Sequence, residues 1–162
     1  METFKDNAEV ANQKKKQVIN YYLYLLSKRD YTTQELVDKG IARGFTGGEI
    51  KIAITQLNDI NYLNDRRFVE VALNSYKGTK GKQWIIQKLR RRKVPNAIIE
   101  DELEEVEFLP NDEFEQKVRS KYKVNKFSEI EYKDKQKILN YIARQGFSNV
   151  FDIMRQWEEN EQ

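Results

Sequence analysis

Apolar positions along this chain recur every three or four residues, with charged positions between them. Val18, Ile19, Tyr22, Leu23 and Leu26 form one such stripe, which predicts a helix over about 14–28. Thr32-Thr33-Gln34-Glu35 reads as a capping box, with Tyr31 and Leu36 as the flanking staple pair. Thr46-Gly47-Gly48-Glu49 repeats the device between Phe45 and Ile50, and Ile50, Ala53, Ile54 and Leu57 continue it as a face of period 3.6. Asn64 is placed to cap a helix from Asp65 to about Tyr76, buried along Phe68, Val69, Ala72, Leu73 and Tyr76. Ile85, Ile86 and Leu89 predict a helix over about 80–92, and Ile98, Ile99, Leu103 and Val106 predict the next. After Leu109-Pro110-Asn111, the faces Phe114/Val118/Tyr122, Ile138/Leu139/Ile142 and Val150/Ile153/Met154/Trp157 predict three more. Ser128-Glu129-Ile130-Glu131, between Phe127 and Tyr132, reads as a third capping box.

The helices repeat. Aligning Leu36 with Ile85 and Ile138, at spacings of 49 and 53 residues, also aligns Phe45, Val94 and Phe147 and, before them, Gly44, Lys93 and Gly146. The expected fold is all-α: three tandem three-helix repeats stacked into an elongated, curved array, since units this small must pack on their neighbours. The expected boundaries are 14–61, 62–107 and 108–158, with a flexible segment at 1–13 and a tail at 159–162. Trp157 lies on an apolar face and is expected in the core. Trp84 sits among basic residues, where an aromatic ring can stack on a partner.

Charge changes this picture at one place. The net charge of the 162 residues is only +3. Yet residues 77–93 hold eight basic residues and no acid, and six acids follow between Glu100 and Glu107. An uninterrupted basic run of this kind suits a nucleic-acid or acidic partner. The candidate contact residues are Arg66, Arg67, Lys77, Lys80, Lys82, Trp84, Lys88, Arg90, Arg91, Arg92 and Lys93.

Composition narrows the chemistry. With no Cys and no His, disulfides, His/Cys zinc sites and Ser-His-Asp or Cys-His catalysis are excluded. The aromatic content of 12% argues for an ordered core despite 34% charged residues. No apolar run is long enough to span a bilayer, and a cytoplasmic protein without cofactor, metal or catalytic site is expected. Gly78-Thr79-Lys80-Gly81-Lys82 is too short for a phosphate loop and has Gln83 where the Ser/Thr should stand.

Three further segments form a shared pattern, of which 62–68 is the most specific piece. Arg29-Asp30-Tyr31-Thr32-Thr33-Gln34-Glu35-Leu36, Gly44-Phe45 and above all Asn61-Tyr62-Leu63-Asn64-Asp65-Arg66-Arg67-Phe68 resemble the RecX family of recombination regulators. The basic segment with Gly81 and Lys88-Leu89 is similar to the family's central unit. Lys135-Gln136-Lys137-Ile138 with Arg144-Gln145-Gly146-Phe147 is similar to its C-terminal unit. The chain departs from the family pattern at Gln83, usually Arg, and at Arg92-Lys93, usually Lys-Gly. The resemblance implies a protein that binds the RecA filament on single-stranded DNA, along its groove. It implies inhibition of strand exchange, ATP hydrolysis and coprotease function in DNA repair and the SOS response. Direct contact with DNA is possible within that reading. The alternative is a direct DNA-binding helix-turn-helix protein over residues 32–57, although a helix opening Thr46-Gly47-Gly48-Glu49 offers little to read bases.

Overall fold

The computed structural model describes residues 2–162, with side chains from Asp6 onward. It is all-α among these residues: α1 (Glu2–Lys28), α2 (Thr33–Ala42), α3 (Gly47–Asp59), α4 (Asp65–Tyr76), α5 (Lys82–Arg91), α6 (Asn96–Leu103), α7 (Asp112–Tyr122), a 3-10 turn (Phe127–Glu129), α8 (Tyr132–Arg144) and α9 (Val150–Asn160).

The chain divides into two compact units. Unit 1 takes the residues up to Val69 together with Arg90–Ile98, and unit 2 takes Glu70–Leu89 and Ile99–Gln162. The core of unit 1 is built from Val18, Tyr22, Leu36, Ile50, Ala53, Ile54, Leu57 and Leu63. These are the predicted stripes of α1, α2 and α3, except that Leu23 is exposed. Tyr22 is wholly buried, and the next residue is rotated about 100° away from that inward direction. The core of unit 2 gathers Phe114, Val118, Phe127, Ile138, Ile142, Phe147, Ile153, Met154 and Trp157. Trp157 lies in this core against Phe127, ring centres 5.1 Å apart.

Two predicted capping boxes form in full. Glu35 N–H donates to Thr32 Oγ1 at 3.3 Å, and Thr32 N–H donates to Glu35 Oε1 at 3.0 Å. Glu49 N–H and Thr46 N–H make the same reciprocal pair at 3.3 and 3.1 Å. Asn64 caps α4 by accepting from Arg67 N–H at 3.0 Å. Each cap fills an amide that the helix cannot fill itself, a contribution of about 1 kcal/mol.

The third box does not form. Residues Phe127–Glu129 make a 3-10 turn, α8 starts at Tyr132 without a side-chain cap, and Tyr132 is exposed rather than stapled. The segment is held instead by a carboxylate 33 residues from Ser128. Ser128 Oγ donates to Glu161 Oε2 at 3.3 Å, and Phe127 N–H donates to Glu161 Oε1 at 2.7 Å. Arg119 adds a third bond to Glu161 at 3.2 Å. Burial alone would push the Glu161 carboxyl up. The bonds from the Phe127 amide, Arg119 and Ser128 outweigh it and hold the group below the ordinary glutamate range. The end of the chain expected as a loose tail is therefore tied to unit 2. At the other end α1 begins at Glu2, not near residue 14, and residues 6–14 of it are exposed. Asp6, Ala8, Glu9, Gln13 and Lys14 make that turn-by-turn extension without a buried stripe, on propensity and solvation.

The three aligned positions share a backbone conformation. Gly44, Lys93 and Gly146 have φ of 93°, 61° and 94°. Each donates its N–H back into the preceding helix: to Ile41 O, Arg90 O and Ala143 O, at 3.0, 2.9 and 2.9 Å. This left-handed residue after the helix is a position that favours glycine. The three helix ends are therefore alike in geometry, which is consistent with the repeat in the sequence.

Candidate nucleic-acid interface

The basic run begins in a loop whose amides at Thr79, Lys80 and Gly81 are all committed. Thr79 and Lys80 N–H both donate to Tyr76 O, at 3.1 and 2.9 Å. Gly81 N–H donates to Gln145 O at 2.8 Å, and Gln83 N–H donates to Gly146 O at 3.3 Å. Amides at the start of α5, Gly81 just before it and Gln83 within it, are thus paired with the carbonyls of the two residues that follow α8, inside unit 2. Those are the amides a phosphate loop would offer, so the Gly78–Lys82 loop is no phosphate cradle.

Glycine makes this crossing possible. A Cβ on Gly81 would lie 2.1 Å from Gly146 C and 2.2 Å from Phe147 N. A Cβ on Gly146 would lie 2.5 Å from Trp84 N. Backbone meets backbone, and neither side can rotate away.

On this anchored segment the lysine side chains face out around two rings. Lys80 Nζ lies 4.8 Å from the Trp84 ring centre, and Lys88 Nζ lies 5.5 Å from the same ring and 5.2 Å from Tyr76. Tyr76 and Trp84 are in contact, ring centres 4.8 Å apart and tilted by 58°. Trp84 and Lys88 are one turn apart on α5, and Lys80 reaches the same ring from the loop before the helix, so the ring has a cation on either side of it in sequence. Lys77 and Lys82 are exposed, and Trp84 and Tyr76 are half-buried. Lys80 also donates to Gln145 Oε1. Desolvation, then the neighbouring Lys117 charge, hold the Lys80 ammonium below its usual value. Lys117 is a member of this cationic face that the sequence did not indicate, because it comes from α7. A face of this kind can take phosphate on its ammoniums and stack a base on the exposed part of its rings.

The later cations are differently placed, in unit 1. Arg92 forks onto Glu35: Nε to Oε2 at 2.9 Å and an Nη to Oε1 at 3.1 Å. It donates again to Asp30 O at 2.9 Å, and its guanidinium lies 4.8 Å from the Phe68 ring centre. Its carbonyl accepts from the buried Thr32 hydroxyl at 2.6 Å. The Arg92 side chain is 28% exposed and Glu35 15% exposed, so the pair is mostly withdrawn from water. Burial pushes the Glu35 carboxyl up. The Arg92 bonds and the Thr32 amide outweigh it and keep the group below the ordinary glutamate range.

Lys93 pairs with Asp38 at the surface. Arg67 donates to Asn61 O at 2.8 Å and Tyr62 O at 3.2 Å, closing the turn after α3. Arg90 Nε donates to Asn96 Oδ1 at 3.2 Å, and Arg91 is exposed. Arg66 is exposed and has interactions of its own. The acids Glu100–Glu107 follow along α6 and beyond it. Among the described residues no group of three or more Asp, Glu, His or Cys is arranged to hold a metal. No helix among them is long and apolar enough to cross a membrane.

No family model matches the chain. Individual proteins do. It is 31% identical over 137 residues to "Regulatory protein RecX" of Actinobacillus pleuropneumoniae serotype 5b (strain L20), covering 81% of this chain and 85% of that protein. It is 37% identical over 131 residues to the protein of the same name from Haemophilus influenzae (strain PittEE), covering 79% of this chain and 85% of that one. The crystal structure of RecX from Lactobacillus salivarius superposes with a TM-score of 0.73 at 24% identity, over 91% of this chain and 98% of that one. The chain belongs to the RecX family of regulatory proteins.

Proposed function

We propose that this member of the RecX family is a regulator of the RecA recombinase. It binds the RecA filament on single-stranded DNA and inhibits strand exchange, ATP hydrolysis and the coprotease function of the filament. It acts in the cytoplasm, in DNA repair and the SOS response, as a binding protein without chemistry of its own. The observation that carries this reading is the lysine and aromatic face of unit 2. Lys80 and Lys88 stand against Trp84 and Tyr76, with Lys117 beside Lys80 and with Lys77 and Lys82 exposed on the same segment. A filament presents phosphates and bases together in a long groove. Unopposed ammoniums speed encounter with it, and the rings add contacts that salt does not screen. Successive three-helix repeats, 14–61, 62–107 and 108–158, give this face neighbours along the chain, so that one molecule spans several recombinase protomers.

The helix-turn-helix alternative has less support. The hydroxyl of Thr46 and the carboxylate of Glu49 are turned back onto each other's amides, and Gly47 and Gly48 carry no side chain to reach a base edge.

The deciding experiment compares binding to RecA-coated single strands with binding to bare duplexes, alongside the rate of filament ATP hydrolysis. Preference for the coated strand, with slowed hydrolysis, is the expected result. Preference for one bare duplex sequence overturns the proposal.

A further inference from the structure

Unit 1 carries a groove that owes nothing to the lysine face. Gln17, Asn20, Tyr21 and Tyr24 form one wall, and Arg43 and Phe45 form the other, around about 600 Å³. The first wall is one stripe of α1, since 17, 20, 21 and 24 follow helical spacing. It runs beside the buried Val18 and Tyr22, so the helix that builds the core also fixes the groove. The second wall comes from the end of α2. Gly44 N–H donates to Ile41 O at 3.0 Å and Phe45 N–H donates to Gly40 O at 3.1 Å, the paired bonds of a Schellman turn. Gly44 takes the left-handed conformation, and Arg43 and Phe45 flank it.

The lining is two tyrosines, a phenylalanine, two amides and an arginine, with no carboxylate. The Arg43 guanidinium lies 4.6 Å from the Tyr21 ring centre, and the Tyr21 and Phe45 ring centres are 6.0 Å apart. At the rim, Lys28 Nζ lies 5.3 Å from the Tyr24 ring centre. Tyr24 is 60% exposed, so its ring is offered to solvent rather than spent on the core.

Rings, amides and cations without an acid match a single-stranded nucleic acid part by part. A base stacks on an open aromatic ring or on a guanidinium plane. Its edge carries donors and acceptors that a Gln or Asn amide can answer, since each amide is both. Its phosphate suits Arg43 and Lys28. An acidic peptide would use the two cations and leave the rings and amides idle.

We propose that this groove binds single-stranded nucleic acid, with one base stacked on Tyr24 and the adjoining phosphate on Arg43. It gives unit 1 a strand contact separate from the lysine face. The biological setting rests on the filament reading above, but the test uses bare strands and no recombinase, so the two can fail separately.

Anisotropy measures the affinity of the full chain for labelled oligo-dT and for an abasic strand of equal length and phosphate number. The wild type should prefer oligo-dT. Tyr24→Ala should reduce that preference, by roughly five- to a hundred-fold, while Tyr24→Phe keeps it; any stacking on Trp84 is common to all three proteins. Ala is a strong helix former at this exposed position, and melting curves confirm that the variants are folded. Arg43→Gln should weaken both strands and flatten the salt dependence by about 0.7. Equal wild-type affinity for the two strands overturns the proposal. So does a Tyr24→Ala variant with its preference intact. Displacement of both strands alike by polyglutamate, unaffected by Tyr24→Ala, would assign the groove to an acidic protein segment instead.

Discussion

The lysines of residues 77–88 and the basic residues 90–93 are neighbours in sequence and opposites in what is held. In the first group the backbone is fixed, and the lysine that is bonded, Lys80, holds a neutral amide and not an acid. Gly81 and Gln83 are pinned to the end of α8, while Lys77 and Lys82 stand in solvent and Lys88 rests on two rings. In the second group two of the four side chains, Arg92 and Lys93, hold acids, Glu35 and Asp38. A cation gains affinity for a partner by releasing counterions on contact. One already bonded to a carboxylate must first give that bond up. The difference teaches that charge density along a run does not measure charge on offer; the partners of each cation decide it.

The strongest way to break the contrast is to remove the anchor of the first group. Gly81→Ala puts a methyl into Gly146 and Phe147 backbone. It should destabilise the protein by about 3 kcal/mol or more, read by urea or thermal unfolding. Gly81 is not in the left-handed region, so its cost is that of the crossing; Gly44→Ala, left-handed but with nothing within 4 Å of the added atom, measures conformation alone and should cost only about 1–2 kcal/mol. Equal losses would mean that the close approach of Gly81 to Gly146 costs no more than a strained turn does.

The second group is tested through Arg92. Arg92→Gln strands the half-buried Glu35 and should cost about 2–3 kcal/mol, whereas Arg91→Gln should stay within about 0.5 kcal/mol. The same pair has a signature in acid. The Glu35 pKa is lowered in the fold, so its contribution is present above the ordinary value of 4.5 and lost as pH falls through the folded value. Between about pH 5 and pH 3 the wild type should therefore lose more stability than Arg92→Gln does. Parallel stability curves across that window would remove the pair from the account.

A smaller effect concerns Lys93. Its φ of 61° suits glycine, the residue at both aligned positions. Lys93→Gly should raise stability, by about 1 kcal/mol at most, since the surface contact with Asp38 given up in exchange is screened and flexible. A loss of stability would show that the Asp38 pairing outweighs the backbone strain.

What was legible in the sequence was local. Thr32, Thr46 and Asn64 cap helices because each reaches an amide three residues away; Thr32 does so while its hydroxyl donates to Arg92 O. Ser128 has the same pattern and does otherwise: it lies inside a 3-10 turn that Glu161 holds from the far end of the unit. Gly44, Lys93 and Gly146 could be aligned from spacing, and their shared left-handed turn is visible only in the backbone. The cationic face was half legible. The run shows where lysines are plentiful, but Lys117 joins from α7 and Arg92 leaves for a carboxylate 57 residues away. The Gly81 contact with Gly146 spans 65 residues, and nothing near either glycine announces it.

The central claim is that the lysines of unit 2 meet DNA and that Arg92 does not. The most direct measurement is the salt dependence of filament affinity for three proteins: wild type, Lys77/Lys82/Lys88→Gln together, and Arg92→Gln, with melting curves for each. The triple variant should keep its fold and flatten the slope of log affinity against log salt by about 0.7 per lost contact, roughly 2 in total. Arg92→Gln should lower the melting temperature and leave the slope unchanged. A folded triple variant with the wild-type slope, or an Arg92→Gln slope flattened as much as that of the triple variant, would contradict the claim.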